Sequence, residues 1–150
     1  MLKRYCLFAL CLSCVLVARA QQSERFGPYE LHYSVVNTTF LQPVVAATYG
    51  ITRGSKRAIL NLAVREHPPA LEEGLAGMTR PRAMQLVGRT WDLIQSQPLT
   101  FTEVREGEAI YYIAEFKFIN REWRFFEIDF QPDGAGETYT FKFKHQVFVN

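Results

Sequence analysis

Hydrophobic and polar residues alternate with a period of two over much of this chain, the spacing of half-buried β-strands. Leu31, Tyr33 and Val35 alternate with Glu30, His32 and Ser34, and Ala58, Leu60, Leu62 and Val64 alternate with Arg57, Asn61 and Arg65. Both stretches predict strands with one buried face. Between them, Pro43 is placed to open a short helix, with Val44, Val45 and Tyr49 apolar and Gly50 suited to the left-handed position after its end. From Ala83 to Gln95 two periods compete: Met84, Val87, Trp91 and Ile94 have helical spacing, whereas Val87, Trp91 and Leu93 share a strand face. Gly88 and the β-rich neighbours favour the strand.

Turn chemistry and alternation together constrain the C-terminal third. A two-residue turn at Glu106-Gly107 opposes Arg105 to Glu108, Phe101 to Tyr112 and Leu99 to Ala114, which gives one apolar face. In the next connection a three-residue loop, Asn120-Arg121-Glu122, opposes Phe116 to Phe126, Ala114 to Ile128 and Tyr112 to Phe130, with Asn120 or a neighbour left-handed. A two-residue loop would instead set Phe116 and Phe118 beside Glu127 and Asp129. The last strand turns Tyr139, Phe141 and Phe143 inward and Thr138, Thr140, Lys142 and Lys144 outward, and the lysines suit a sheet edge.

About seven closely spaced strands and one short helix predict an all-β domain, an antiparallel β-sandwich of immunoglobulin-like kind without the Cys-Trp-Cys hallmark. An outer-membrane barrel needs an uncharged lipid face on every strand, which Arg57, Arg65, Glu103, Glu115, Lys117 and Lys142 deny. Glu66-His67-Pro68-Pro69, followed by Gly74 and Gly77, reads as a long loop inside a single domain over residues 21–150.

Composition adds a compartment. Lys3 and Arg4 precede an apolar run from Tyr5 to Val17, and Ala18-Arg19-Ala20 supplies the small residues a signal peptidase reads, so residues 1–20 are a signal peptide cleaved after Ala20. The run is shorter than the roughly 20 residues that cross a bilayer, so no transmembrane segment is expected after processing. Leu12-Ser13-Cys14 is a poor lipoprotein site, with Cys11 where a large aliphatic is usual. The expected location is the periplasm. All three cysteines lie in the leader, so the mature chain has no disulfide, thiolate metal site or Cys nucleophile. Without the leader the chain carries 14 basic and 15 acidic residues, a balance that argues against nucleic acid as a partner.

Two blocks carry a family likeness: Tyr29-Glu30-Leu31-His32-Tyr33-Ser34-Val35-Val36-Asn37-Thr38-Thr39-Phe40-Leu41 with Tyr49-Gly50-Ile51, and the run from Val104 to Phe116. They resemble the domain of unknown function family 4426. The resemblance implies small exported proteins of Gram-negative bacteria with a β-sandwich domain, supplies no established activity, and is weakest around Gly88 to Leu93 and from 66 to 82.

The search for chemistry returns little. No Gly-rich phosphate or dinucleotide loop occurs, and none of Ser23, Ser34, Ser55 and Ser96 stands in a nucleophile elbow. His32 and Ser34 share a strand face, which reads more simply as solvated polar surface. His67 and Met78 are soft copper donors 11 residues apart with no second pair at matching spacing. Glu106 and Glu108 flank a turn and suit pairing with Arg105 better than acid–base work. No cofactor is expected. Of 19 aromatics beyond the leader, 13 follow residue 100; most fit one inward face, which leaves Tyr111, Trp123 and Phe125 on the other. Exposed together they form an apolar binding patch; the long loop or Trp91 would otherwise cover them. Asn37-Thr38-Thr39 spells a glycosylation sequon, although a strand-ending turn explains it as well.

The expectation is thus a non-enzymatic exported domain that binds an envelope protein or a small ligand, with Tyr111, Trp123, Phe125, His32 and Asn37 as candidate surface. The alternative is a metal or small-ligand carrier, or an enzyme, with a site assembled from separated residues such as His32, Tyr33, Tyr111 and Glu115. A third reading, an assembly factor offering a sheet edge, is opposed by Lys142 and Lys144.

Overall fold

The computed structural model describes residues 22–69 and 78–149; the processing site and the 70–77 part of the long loop lie outside them. Ten strands are found among the described residues rather than seven: β1 (Gln22–Phe26), β2 (Tyr29–Asn37), β3 (Arg57–Glu66), β4 (Arg80–Arg82), β5 (Met84–Trp91), β6 (Ser96–Leu99), β7 (Thr102–Glu106), β8 (Ala109–Lys117), β9 (Glu122–Pro132) and β10 (Tyr139–Val147). A 3₁₀ turn, Thr38–Phe40, and helix α1, Pro43–Thr48, separate β2 from β3. Pro43 opens the helix and Gly50 follows it at φ +66°, as the sequence leads one to expect.

The strands form two antiparallel sheets. The first has the order β1-β2-β3-β8-β7 with β4 also on β3, and the second the order β10-β9-β5-β6. Their facing surfaces supply the core: Leu31, Leu60, Leu62, Val64, Ala114 and Phe116 from one, Phe126, Ile128, Phe130 and Phe141 from the other, all essentially buried. Aromatic rings interdigitate there, Phe116 edge-on to Phe126 at 5.3 Å and Phe126 stacked on Phe143 at 4.5 Å. A smaller cluster forms outside the first sheet, where Ala46 of α1 and Ile51 pack on Ile59. This explains why both Ile59 and its neighbours Ala58 and Leu60 are buried in β3.

Three registers differ from the sequence reading. The β7–β8 hairpin pairs Glu106 with Ala109 and Glu103 with Tyr112, so its two-residue loop is Gly107-Glu108, two positions from the expected pairing. The reason is local: such a loop takes its positive φ at the first central residue, and Gly107 supplies +59°. Leu99 does not pair with Ala114, because it ends β6 opposite Gly88 and the chain changes sheets before Thr102. Phe116 and Phe126 do meet, but across the sandwich: β8 and β9 lie in different sheets, and the segment from 118 to 121 is a crossover with Arg121 at φ +62°. Residue 84–91 is a strand, yet its inward row is Met84, Leu86, Gly88 and Thr90, while Val87 is exposed. Gly88 has to lack a side chain, since a Cβ would lie 2.7 Å from Ile128 Cδ1. Tyr139, Phe141 and Phe143 turn inward on edge strand β10, with Lys142 and Lys144 exposed.

Candidate functional site

The outer face of the first sheet carries the most chemically active arrangement. Glu30 and His32 alternate on β2 with the inward Leu31, so both point away from the core. His67 follows β3, whose last residue pairs with Tyr29, and this register returns it to Glu30. Glu30 accepts from Ser23 Oγ at 2.7 Å through one oxygen, and its other oxygen lies 2.7 Å from His67 Nε2. Those hydrogen bonds, Ser23 first and His67 next, hold its carboxyl below the ordinary range against partial burial.

His32 sits differently. Its Nε2 is 3.9 Å from Glu30, beyond a hydrogen bond, and its Nδ1 is buried with no hydrogen-bond partner. Opposite His32 on β3 stands Ala63, too small to fill the space. A recess of about 120 Å³ results, lined by His32, Ala63, Arg65, Pro81, Ile110 and Tyr111. The Arg65 guanidinium is engaged with Thr79, donating to its hydroxyl at 2.5 Å and its carbonyl at 2.7 Å, so it closes the recess rather than offering a free charge.

Of the sequence candidates, His32 and Tyr111 therefore come together. Trp123 and Phe125 lie on the outer face of the other sheet, so the three aromatics do not form one patch. There Phe125 stacks on Trp91 at 5.8 Å, Arg89 lies 4.9 Å over Trp91, and Lys144 lies 5.0 Å over the half-exposed Trp123. Asn37 is buried, and its amide donates to the Phe148 carbonyl, which ties β2 to the C-terminal segment. Tyr33 packs inward on Phe141 and Phe143, and Glu115 accepts from the Thr52 amide beside Arg57, away from His32. Arg105 pairs with Glu103 of its own strand rather than with Glu106 or Glu108.

Two features escaped the sequence reading. Contact between Glu30 and His67 depends on the β2–β3 register, which alternation alone does not set. Arg124, with 1% of its surface exposed, was legible in principle, since it shares the inward parity of Phe126, Ile128 and Phe130. Its Nη1 donates to Asp92 at 2.9 Å and Glu122 at 2.7 Å, and its Nε donates to Thr90 at 3.2 Å. Among the described residues no three His, Cys, Asp or Glu side chains are grouped to hold a metal ion.

These features define an antiparallel sandwich domain with a polar recess on one outer face and cation–aromatic pairs on the other. The chain belongs to the DUF4426 family, a domain of unknown function, whose sequence profile matches residues 23–150. A DUF4426 family protein of Pseudomonas aeruginosa PAO1, known from a crystal structure, is 32% identical and superposes with a TM-score of 0.70 over 86% of this chain and 95% of that one. A copper-bound variant of FetP from uropathogenic Escherichia coli strain F11 shares the fold at 13% identity, TM-score 0.59, over 87% of this chain and 97% of that one. FetP as isolated after expression in the periplasm of Escherichia coli BL21(DE3) superposes at 0.58 with 12% identity, over 86% and 94%. No curated protein matches the chain.

Proposed function

We propose that this is an exported, periplasmic, non-enzymatic binding domain that takes a small ligand in the His32–Tyr111 recess. The observation that carries the reading is the buried His32 Nδ1 without a partner. Buried polar atoms are almost always hydrogen-bonded, and the residue that carries this one lines a recess together with Tyr111. A ligand with an N–H or O–H group can pair with this ring nitrogen, and the low-lying Glu30 carboxylate beside it favours a cationic group such as an amine. The leader supports export, and no helix among the described residues is long and apolar enough to cross a membrane.

Copper, which the FetP variant carries, would need several converging donors. His67 is bonded to Glu30, Met78 is an exposed single thioether, Met84 faces the core, and His145 stands on the opposite sheet. The described residues therefore do not fit a copper site.

Native mass spectrometry of the protein released gently from the bacterial envelope tests the proposal. The expected result is a mass corresponding to cleavage after Ala20, plus a small adduct that unfolding removes and that His32→Ala and Tyr111→Ala each lose. A bare chain, together with no change in the His32 ring resonances on titration with small amines, would overturn it.

A further inference from the structure

The end of the sandwich where β2, β5, β8 and β10 finish collects most of the exposed large hydrophobic residues among those described. Crossover 118–121 joins the two sheets there, and the Asn37–Phe148 hydrogen bond shows that β2 and β10 end side by side. Leu93 and Ile94, at the tip after β5, are 96% and 89% exposed. Ile119 projects from the crossover, Phe148 from the segment after β10, and Trp123 from the start of β9. Phe40 protrudes from the 3₁₀ turn that follows β2, while Val44 and Val45 belong to α1 on the outer face of the first sheet, and Met78 and Val87 lie elsewhere among the described residues.

These tips are held out rather than left to collapse. Asp92 Oδ1 accepts from the amides of Ile94 at 2.6 Å and Gln95 at 2.8 Å, while its other oxygen meets Arg124. Glu122 likewise accepts the Ile119 amide at 2.7 Å through one oxygen and Arg124 through the other. One buried guanidinium thus anchors both apolar loops and turns the Asp92 and Glu122 carboxylates inward on itself.

The outward charge is basic. Arg53, Lys56, Lys117, Arg121 and Lys144 are exposed around the tips and, among the described residues, none is paired with a carboxylate. Glu24, Glu106, Glu108, Asp133 and Glu137 lie toward the opposite end, where exposed Arg25, Arg80 and Arg105 partly offset them, so the unpaired basic excess is concentrated at the tips.

We infer that this end docks on an anionic membrane surface, with Leu93 and Ile94 entering the headgroup layer and the surrounding basic residues meeting lipid phosphates. Aliphatic tips, an interfacial Trp and a basic rim are what shallow membrane binding requires, and the rim selects a bilayer over an uncharged apolar partner. The inference is independent of the His32 recess, which lies on the outer face of the first sheet.

Flotation of the protein, purified from the envelope with its mass confirmed, on vesicles of phosphatidylcholine with or without phosphatidylglycerol decides it. Binding is expected to be at least about tenfold stronger to the anionic vesicles and to weaken in high salt. Leu93→Asn with Ile94→Asn, and separately Lys56→Glu with Arg121→Glu, should each lose about tenfold while melting as the parent does, and His32→Ala should bind vesicles normally. Equal binding to both vesicle types, binding that survives the Leu93 and Ile94 changes, or a dimer that those changes dissolve without any vesicle binding would each overturn the inference.

Discussion

Arg124 shows how much one side chain can organise. With Asp92 and Glu122 only about a tenth exposed, its loss leaves two carboxylates facing each other with little water to screen them. Breaking a buried ion pair from one side typically costs about 3 to 5 kcal/mol, so Arg124→Met should lower the urea midpoint by a corresponding amount at unchanged slope. The Asp92 carboxyl is held below its ordinary range, first by the Gln95 and Ile94 amides and then by Arg124. The unfolded chain therefore takes up this proton more readily than the folded one. The resulting stabilisation is complete above the ordinary carboxylate range and disappears as pH falls through the lowered folded value. Asp92→Asn should flatten the acid limb of a plot of melting temperature against pH. Trp123 and Phe125 differ in the same manner of test: half-exposed Trp123→Ser should melt within a few degrees of the parent, whereas Phe125→Ser removes a ring stacked on Trp91 and should melt distinctly lower.

Among the elements, parity was easier to read than partnership. Alternation assigned the inward rows of β2, β3, β8, β9 and β10 because a strand with one wet face must alternate whichever neighbour it has. It could not say that β8 and β9 face one another across the core rather than along a hairpin, because Phe116 opposite Phe126 satisfies both arrangements. In β5 the outer face is itself apolar, with Val87 and Trp91, and the inner row includes Gly88 and Thr90, so the usual contrast is reversed. The His32 recess depends on the β2–β3 and β3–β8 registers together, which is why its residues were legible singly and their meeting was not. Two glycine substitutions test the elements concerned. Gly88→Ala presses on Ile128 and the Glu127 carbonyl of the second sheet and on Phe101 from the β6–β7 connection, an overpacking that should cost about 1 to 3 kcal/mol. Gly107→Ala has open space but the wrong φ, and should cost about 1 to 2 kcal/mol. Gly136→Ala, with space and no positive φ, is the matched control for chemical denaturation of all three.

At the scale of the molecule, two sheets built from residues distant in sequence must be kept in one relative position, and apolar packing alone is non-directional. Tyr112 supplies direction. From β8 in the first sheet its hydroxyl donates to the exposed Glu103 of edge strand β7 at 2.7 Å and accepts from the buried Met84 amide of the second sheet at 2.9 Å. Burial, with the Glu103 hydrogen bond contributing, pushes this phenol up to about 12 from an ordinary 10. A raised folded value means that the stabilisation is fully present below the ordinary tyrosine range and is lost as pH rises toward the folded value. The protein should therefore weaken between about pH 10 and about pH 12 by an amount that Tyr112→Phe abolishes. The same substitution leaves the buried Met84 amide without an acceptor, for about 1 to 3 kcal/mol at neutral pH. Urea melts at neutral and alkaline pH separate the two effects: a Tyr112→Phe protein as stable as its parent at neutral pH, or with an unchanged alkaline limb, would mean that this hydroxyl does not join the sheets.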